Sequence, residues 1–152
     1  MQNTQMLPVT TLVEMLETLI REYPQVEIPT NHSYAGGIYE REIFVPAGAL
    51  ITGKIHLHEH LAKLVSGTMS ILSDSIAGTW TGPVTFCCRP GEKRLGFART
   101  DCVFSTYHTV VQSTPEEMEQ ALVVSSLDEY KQAQLEGENS WHLSQPVSWQ
   151  LG

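Results

Sequence analysis

The chain has 152 residues, with 41% apolar and 17% charged side chains and a net charge of −8. This profile excludes a disordered chain and suits one domain with a real hydrophobic core. No apolar run approaches the ~18 residues that span a bilayer, and no basic stripe marks a nucleic-acid surface, so neither membrane nor nucleic acid is an expected partner.

Charge is unevenly spread. Residues 1–29 carry four acids and one base, residues 30–112 six acids and seven bases, and residues 113–152 seven acids and one base. A slightly basic centre between acidic flanks can attract a small anion. The opening MQNTQMLPVT has neither the basic region nor the apolar core of an export signal. Cys87, Cys88 and Cys102 lack metal-knuckle spacing and read as free thiols, which makes the cytoplasm the expected compartment.

The first element in chain order is a short helix. Thr10 or Thr11 can cap it, Glu14 follows at capping-box spacing, and Leu12, Met15, Leu16, Leu19 and Ile20 recur with helical period. Tyr23 and Pro24 end it. It is expected to pack outside the sheet or against a second subunit, and the residues leading into it are expected to be loose. Residues 30–112 read as short strands jointed by glycine and proline: 38–45, 50–61, 68–72, 83–88, 95–98 and 103–111. Such spacing indicates an all-β sandwich or barrel. Residues 113–117 (STPEE) are a helix start with Pro115 in the first turn. A second helix can open at residues 126–130. Trp141 and Trp149 in the terminal tail are expected to dock onto the barrel or a neighbouring chain. The three segments, 1–29, 30–112 and 113–152, form a single domain in this reading.

The stretch that carries chemistry is residues 53–67, GKIHLHEHLAKLVSG. On a regular strand alternate side chains share a face, so Lys54, His56, His58 and His60 point one way. Buried imidazoles need partners for their nitrogens, and a divalent cation supplies one directly. A lone strand histidine is usually a surface residue; three in alternation favour a metal. Residues i and i+4 on a straight strand lie ~13 Å apart, so His56 and His60 can share an ion only across a bend. The pairs 56/58 and 58/60 need less distortion.

This stretch resembles the first motif of the cupin superfamily, G-x5-HxH-x3,4-E-x6-G. Counted back from Gly67, the family's acidic ligand falls on His60 and its histidines on Lys54 and His56; counted forward from His56 and His58, Lys63 takes the acid's place. The second motif, PxGxxHxxxN, has its counterpart at residues 90–94 (PGEKR), where Arg94 stands for the histidine. Residues 32–43, 46–48, 52–56, 90–94 and 107–110 together are similar to small cupin-like proteins of tailed bacteriophages. The resemblance implies a cupin-like β-barrel of the jelly-roll type, a phage or prophage origin with work in the host cytoplasm, and a homodimer.

A metal set drawn from His56, His60, His58 and His108 follows, with His108 replacing the histidine lost from the second motif. The ion would be a divalent transition metal such as Zn, Fe, Mn or Ni. Tyr39 and Arg41 share one strand face, and either that face or the one bearing Glu40 and Glu42 points inward. Lys54, Lys93 and Arg94 can supply positive charge to a small carboxylate or phosphate. His32 reads as a loop residue that can cover the site. The expected role is binding or processing a small polar or anionic molecule in the barrel; the alternatives are a sequestering protein, an inhibitor of a host protein, or an assembly component. The family's range, from dioxygenases to isomerases, selects no reaction.

Overall fold

The computed structural model describes residues 7–144, and side chains to residue 137. In chain order the elements are α1 (Val9–Ile20), β1 (Thr30–Ala35), β2 (Ile38–Val45), β3 (Leu50–Thr52), β4 (Ile55–His56), β5 (His60–Ser66), β6 (Thr68–Leu72), β7 (Ala77–Thr81), β8 (Val84–Cys88), β9 (Leu95–Ala98), β10 (Cys102–Thr109), α2 (Pro115–Leu122), β11 (Val123–Val124) and α3 (Leu127–Ser144). Two antiparallel sheets form the barrel. One runs β1-β2-β10-β5-β8, the other β3-β9-β6-β7, and a two-stranded ribbon joins β11 to β4. The expected all-β jelly-roll with helices at its ends is the architecture found.

Alternation decides which residues meet between the sheets. Val45, Ala62, Leu64, Phe86, Cys102 and Phe104 from the larger sheet pack on Met69, Ile71 and Ala98 from the smaller. Trp80 meets Phe86 edge-on, with ring centres 5.2 Å apart. On β2 the inward residues are Tyr39, Ile43 and Val45, with Arg41 on the same face. Gly67 makes the β5–β6 turn possible. Its φ is +88°, and a Cβ there would lie 2.2 Å from the Asp101 carbonyl oxygen.

Several sequence expectations need correction. Residues 50–61 are not one strand: they divide into β3, β4 and the start of β5, with a bend at residues 57–59. Residues 30–35 form β1 rather than a loop, and residues 77–81 form β7. Neither shows an apolar alternation, because both expose most of their side chains. Neither Thr10 nor Thr11 caps α1, which begins after Pro8 without a local side-chain cap. Asp74, from the β6–β7 turn, caps it instead. Its carboxylate accepts from the Val9 and Thr10 amides at 2.7 and 3.3 Å and from the Thr10 hydroxyl at 2.6 Å. The second helix start is as expected: Thr114 Oγ1 accepts from the Glu117 amide at 3.2 Å, with Pro115 in the first turn. α3 extends to Ser144, further than the sequence suggests. The docking expected of Trp141 and Trp149 lies outside the described side chains; of residues 4–10, expected to be loose, 4–6 lie outside the described residues, while Val9 and Thr10 belong to α1.

Lys93 is the tie between the ends of the chain. It is 2% exposed, its Nζ donates to Glu17 at 3.0 Å and to the Ser125 carbonyl at 2.9 Å. Burial alone would raise the Glu17 pKa, but hydrogen bonds from Thr52 and Lys93 outweigh it and hold the carboxyl below its usual value. Lys93 therefore binds α1 to the segment before α3 and is not free to meet a ligand. We expect Lys93→Ala to cost about 3 kcal/mol, since it leaves a half-buried carboxylate without its cation. Chemical denaturation would check this; a loss under ~0.5 kcal/mol would contradict it.

Candidate metal centre

Three elements bring histidines to one point. His56 ends β4, His60 opens β5 and His108 sits near the end of β10. The bend at residues 57–59 replaces the ~13 Å of a straight strand with a ring-centre separation of 4.0 Å between His56 and His60. His108 lies 5.0 and 4.6 Å from them. Each ring offers a nitrogen within 4.8 Å of the others. Two nitrogens bound ~2.1 Å from one ion are at most ~4.2 Å apart, so closing on an ion takes only a small turn of the rings.

The protonation states fit ligand duty. Burial, and then the Arg94 charge among other causes, lowers the His60 pKa to about 4; a hydrogen bond to the His58 carbonyl opposes the shift. Burial and the neighbouring His58 and Arg94 charges lower His108 to about 4 as well. His56 is pushed well below its usual value by burial, then by His60, Arg94, His108 and Arg41. All three are thus neutral near pH 7, the state that coordinates metals. The His60 Nδ1 lies 3.1 Å from the His58 carbonyl oxygen, which only accepts, so Nδ1 carries the proton. That leaves the His60 Nε2 lone pair free for an ion, an orientation of the kind found beneath many metal-bound histidines.

Among the described residues, His60 Nε2 and both ring nitrogens of His108 are buried without a hydrogen-bond partner. Buried nitrogens without partners are costly, and a cation relieves that cost. The donor set therefore fits a divalent metal, held by His56, His60 and His108.

The cluster stands between two hollows. A cavity of about 490 Å³ inside the barrel meets His56 and His108. An outer groove of about 320 Å³ meets His58, Glu59, His60 and His108. The four expected ligand-binding residues, Tyr39, Arg41, Lys54 and Arg94, all line the inner cavity. Of the two open alternatives on β2, it is the Tyr39 and Arg41 face that points inward. Lys54 pairs with Glu119 of α2 at the cavity mouth, with an N···O distance of 2.5 Å and both side chains about half exposed. Arg94 Nη1 donates to Cys88 Sγ at 2.7 Å, and its guanidinium lies 5.7 Å from the Phe104 ring centre.

His58 does not join the cluster. It lies in the bend, where the alternation that would put it beside His56 and His60 is broken, and it is exposed. The expected common face of Lys54, His56, His58 and His60 is corrected accordingly. Sequence reasoning also missed a pair. His32 is on β1, not in a loop, and its Nδ1 lies 2.6 Å from the Tyr39 hydroxyl. The rings stack at 5.8 Å. Tyr39 is buried, and burial above all raises its pKa. Only the β1–β2 register reveals this pairing.

No protein-family model matches the chain, and no curated protein is significantly similar in sequence. Solved structures do show likeness of shape. A cupin 2 domain-containing protein from Halorhodospira halophila is 16% identical, covers 58% of this chain and 68% of its own, and has a TM-score of 0.49. KdgF from a Halomonas species is 12% identical, with 65% and 95% covered and a TM-score of 0.49. A cupin superfamily protein from Desulfitobacterium hafniense is 8% identical, with 72% and 94% covered and a TM-score of 0.47. The double-sheet architecture itself rests on the strand pairing described above. Among the described residues, no helix is long and apolar enough to cross a membrane.

The histidine shifts carry a pH prediction for metal-free protein. Above pH ~6.5 the rings are neutral folded and unfolded alike. Below it, unfolded chains take up protons that the folded rings refuse until about pH 4. Stability should therefore fall progressively between pH 6.5 and 4, a window that opens above the range where Glu17 begins to contribute. Melting temperatures measured across this range should drop, and less steeply in His108→Leu. Equal slopes in wild type and variant would contradict the assignment.

Proposed function

We propose that this protein is a small cupin-like metal-binding barrel. It holds one divalent transition metal on His56, His60 and His108 and binds a small polar or anionic molecule in the adjoining cavity. The observation that carries the reading is the set of buried, partnerless ring nitrogens converging on one point. Three neutral imidazoles suit Zn, Fe, Mn or Ni. When bound, such an ion with open positions supplies Lewis-acid polarisation of a ligand oxygen or water. The chain's own residues set the surroundings. Arg94 and Arg41 favour an anion beside His56, Tyr39 offers a hydroxyl steadied by His32, and α2 borders the cavity mouth. The host cytoplasm is the proposed setting; free Cys87, Cys88 and Cys102 and the resemblance to phage-encoded barrels support it.

Protein purified without a metal-affinity column should take up about one ion per chain in equilibrium dialysis read by elemental analysis. His56→Ala and His60→Ala should each weaken uptake by at least 100-fold, and His58→Ala by less than threefold. Saturation at ~100 times the Kd should stabilise the fold by ~2.7 kcal/mol. Uptake unchanged in both of the first two variants would overturn the proposal. Incubating the loaded protein with bacterial metabolite extract then separates two outcomes by mass spectrometry: a product marks turnover, and an unchanged compound released on denaturation marks retention.

A further inference from the structure

We propose that the inner cavity is built for a small monocarboxylic acid with an apolar body, its carboxylate held by Arg94 and Arg41 beside His56. The inference deepens the proposal that the barrel binds a small molecule, and it can be tested with or without metal. It begins with cations that lack partners. Arg21 and Lys93 pair with Glu17, and Lys54 pairs with Glu119. No carboxylate lies within ion-pair distance of Arg94 or Arg41 among the described residues. Arg94 is half-buried in the cavity wall, and its side-chain contacts are a thiol and the Phe104 ring. A guanidinium left so has most of its five N–H donors available in a planar fork, the geometry that takes a carboxylate through two parallel hydrogen bonds. Arg41 and Arg94 both line the cavity that His56 also borders, Arg94 half-buried and Arg41 exposed.

The remainder of the wall sets the body of the ligand. Ile43, Ile51, Met69, Ile71, Leu95 and Phe104 line the cavity, and apolar walls of this kind reward a hydrocarbon chain or ring at ~25 cal/mol per Å² removed from water. At about 490 Å³ the space belongs to the lower half of small-molecule sites. Charge fixes the valence. The lining holds Arg41, Lys54 and Arg94 against Glu116 and Glu119, three positive charges less two negative, or +1. In the metal-free protein this one net positive charge matches a monoanion. A phosphate dianion would meet the two glutamates at the mouth and leave oxygens facing apolar side chains, at a desolvation cost the wall does not offset.

Isothermal titration calorimetry with hexanoate, hexanol and inorganic phosphate tests this, on metal-free and zinc-treated protein in parallel. Hexanoate should bind at least tenfold more tightly than hexanol, and phosphate more weakly than hexanoate. Arg94→Met should bring hexanoate down to the level of hexanol while leaving hexanol unchanged. Should that variant fail to fold, Arg94→Lys keeps the charge without the fork and should lose at least threefold for hexanoate alone. Equal affinity for hexanoate and hexanol in the wild type, binding of neither, or phosphate matching hexanoate would each overturn the proposal. Zinc uptake measured on the same samples reports separately on the metal. A hexanoate preference without zinc uptake upholds the carboxylate site and removes the metal reading. Zinc uptake without that preference removes the carboxylate site alone.

Discussion

Three neutral imidazoles facing one another in the barrel wall are the constraint around which this molecule is arranged. Protonation is blocked, since burial and the Arg94 charge hold His60 and His108 down to about 4. Among the described residues, His108 has no hydrogen-bond partner at either nitrogen and His60 has one only at Nδ1. A protein rarely leaves several buried polar atoms unsatisfied in one place. The bend at residues 57–59 exists where a continuous strand would have kept His56 and His60 far apart, and β10 delivers His108 from the centre of the larger sheet.

The chain ends serve this centre indirectly. β11 pairs with β4 and thereby fixes the strand that bears His56. The Leu57 amide, at the start of the bend, donates to the Leu122 carbonyl at 2.8 Å. Lys93 and Asp74 fasten α1 to the same side of the barrel, and the Leu127 amide reaches Glu14 at 2.6 Å. Terminal helices thus hold the edges of the strands that frame the cavity. Burial of Lys93 with its paired carboxylate makes the arrangement specific, because either partner alone would be an uncompensated charge.

The barrel was legible because glycine and proline punctuate short apolar alternations in residues 38–111. β1 and β7 were not, since their exposed, polar residues carry no such alternation. His56 was readable from either register of the local motif. His60 against His58 was not, because the choice depends on a bend that no residue in HLHEH announces. His108 could be named as a candidate from its place on the last strand, but its approach to His56 follows from sheet order. Lys93 reads in sequence as a cation for a bound anion; its acid lies 76 positions away, and only the contact of α1 with the segment before β9 brings them together.

A metal at this centre would turn the polar cost of the wall into an organising interaction, and it would border the cavity that Arg41 and Arg94 also line. The most direct measurement is nitrogen-15 NMR of the histidine rings during zinc titration. One ring nitrogen each of His56, His60 and His108 should shift to the metal-bound range at one equivalent, with His60 retaining its proton on Nδ1. His32 and His58 should stay in place. Zinc that shifts His58 instead, or that leaves all three buried rings unchanged, would contradict it.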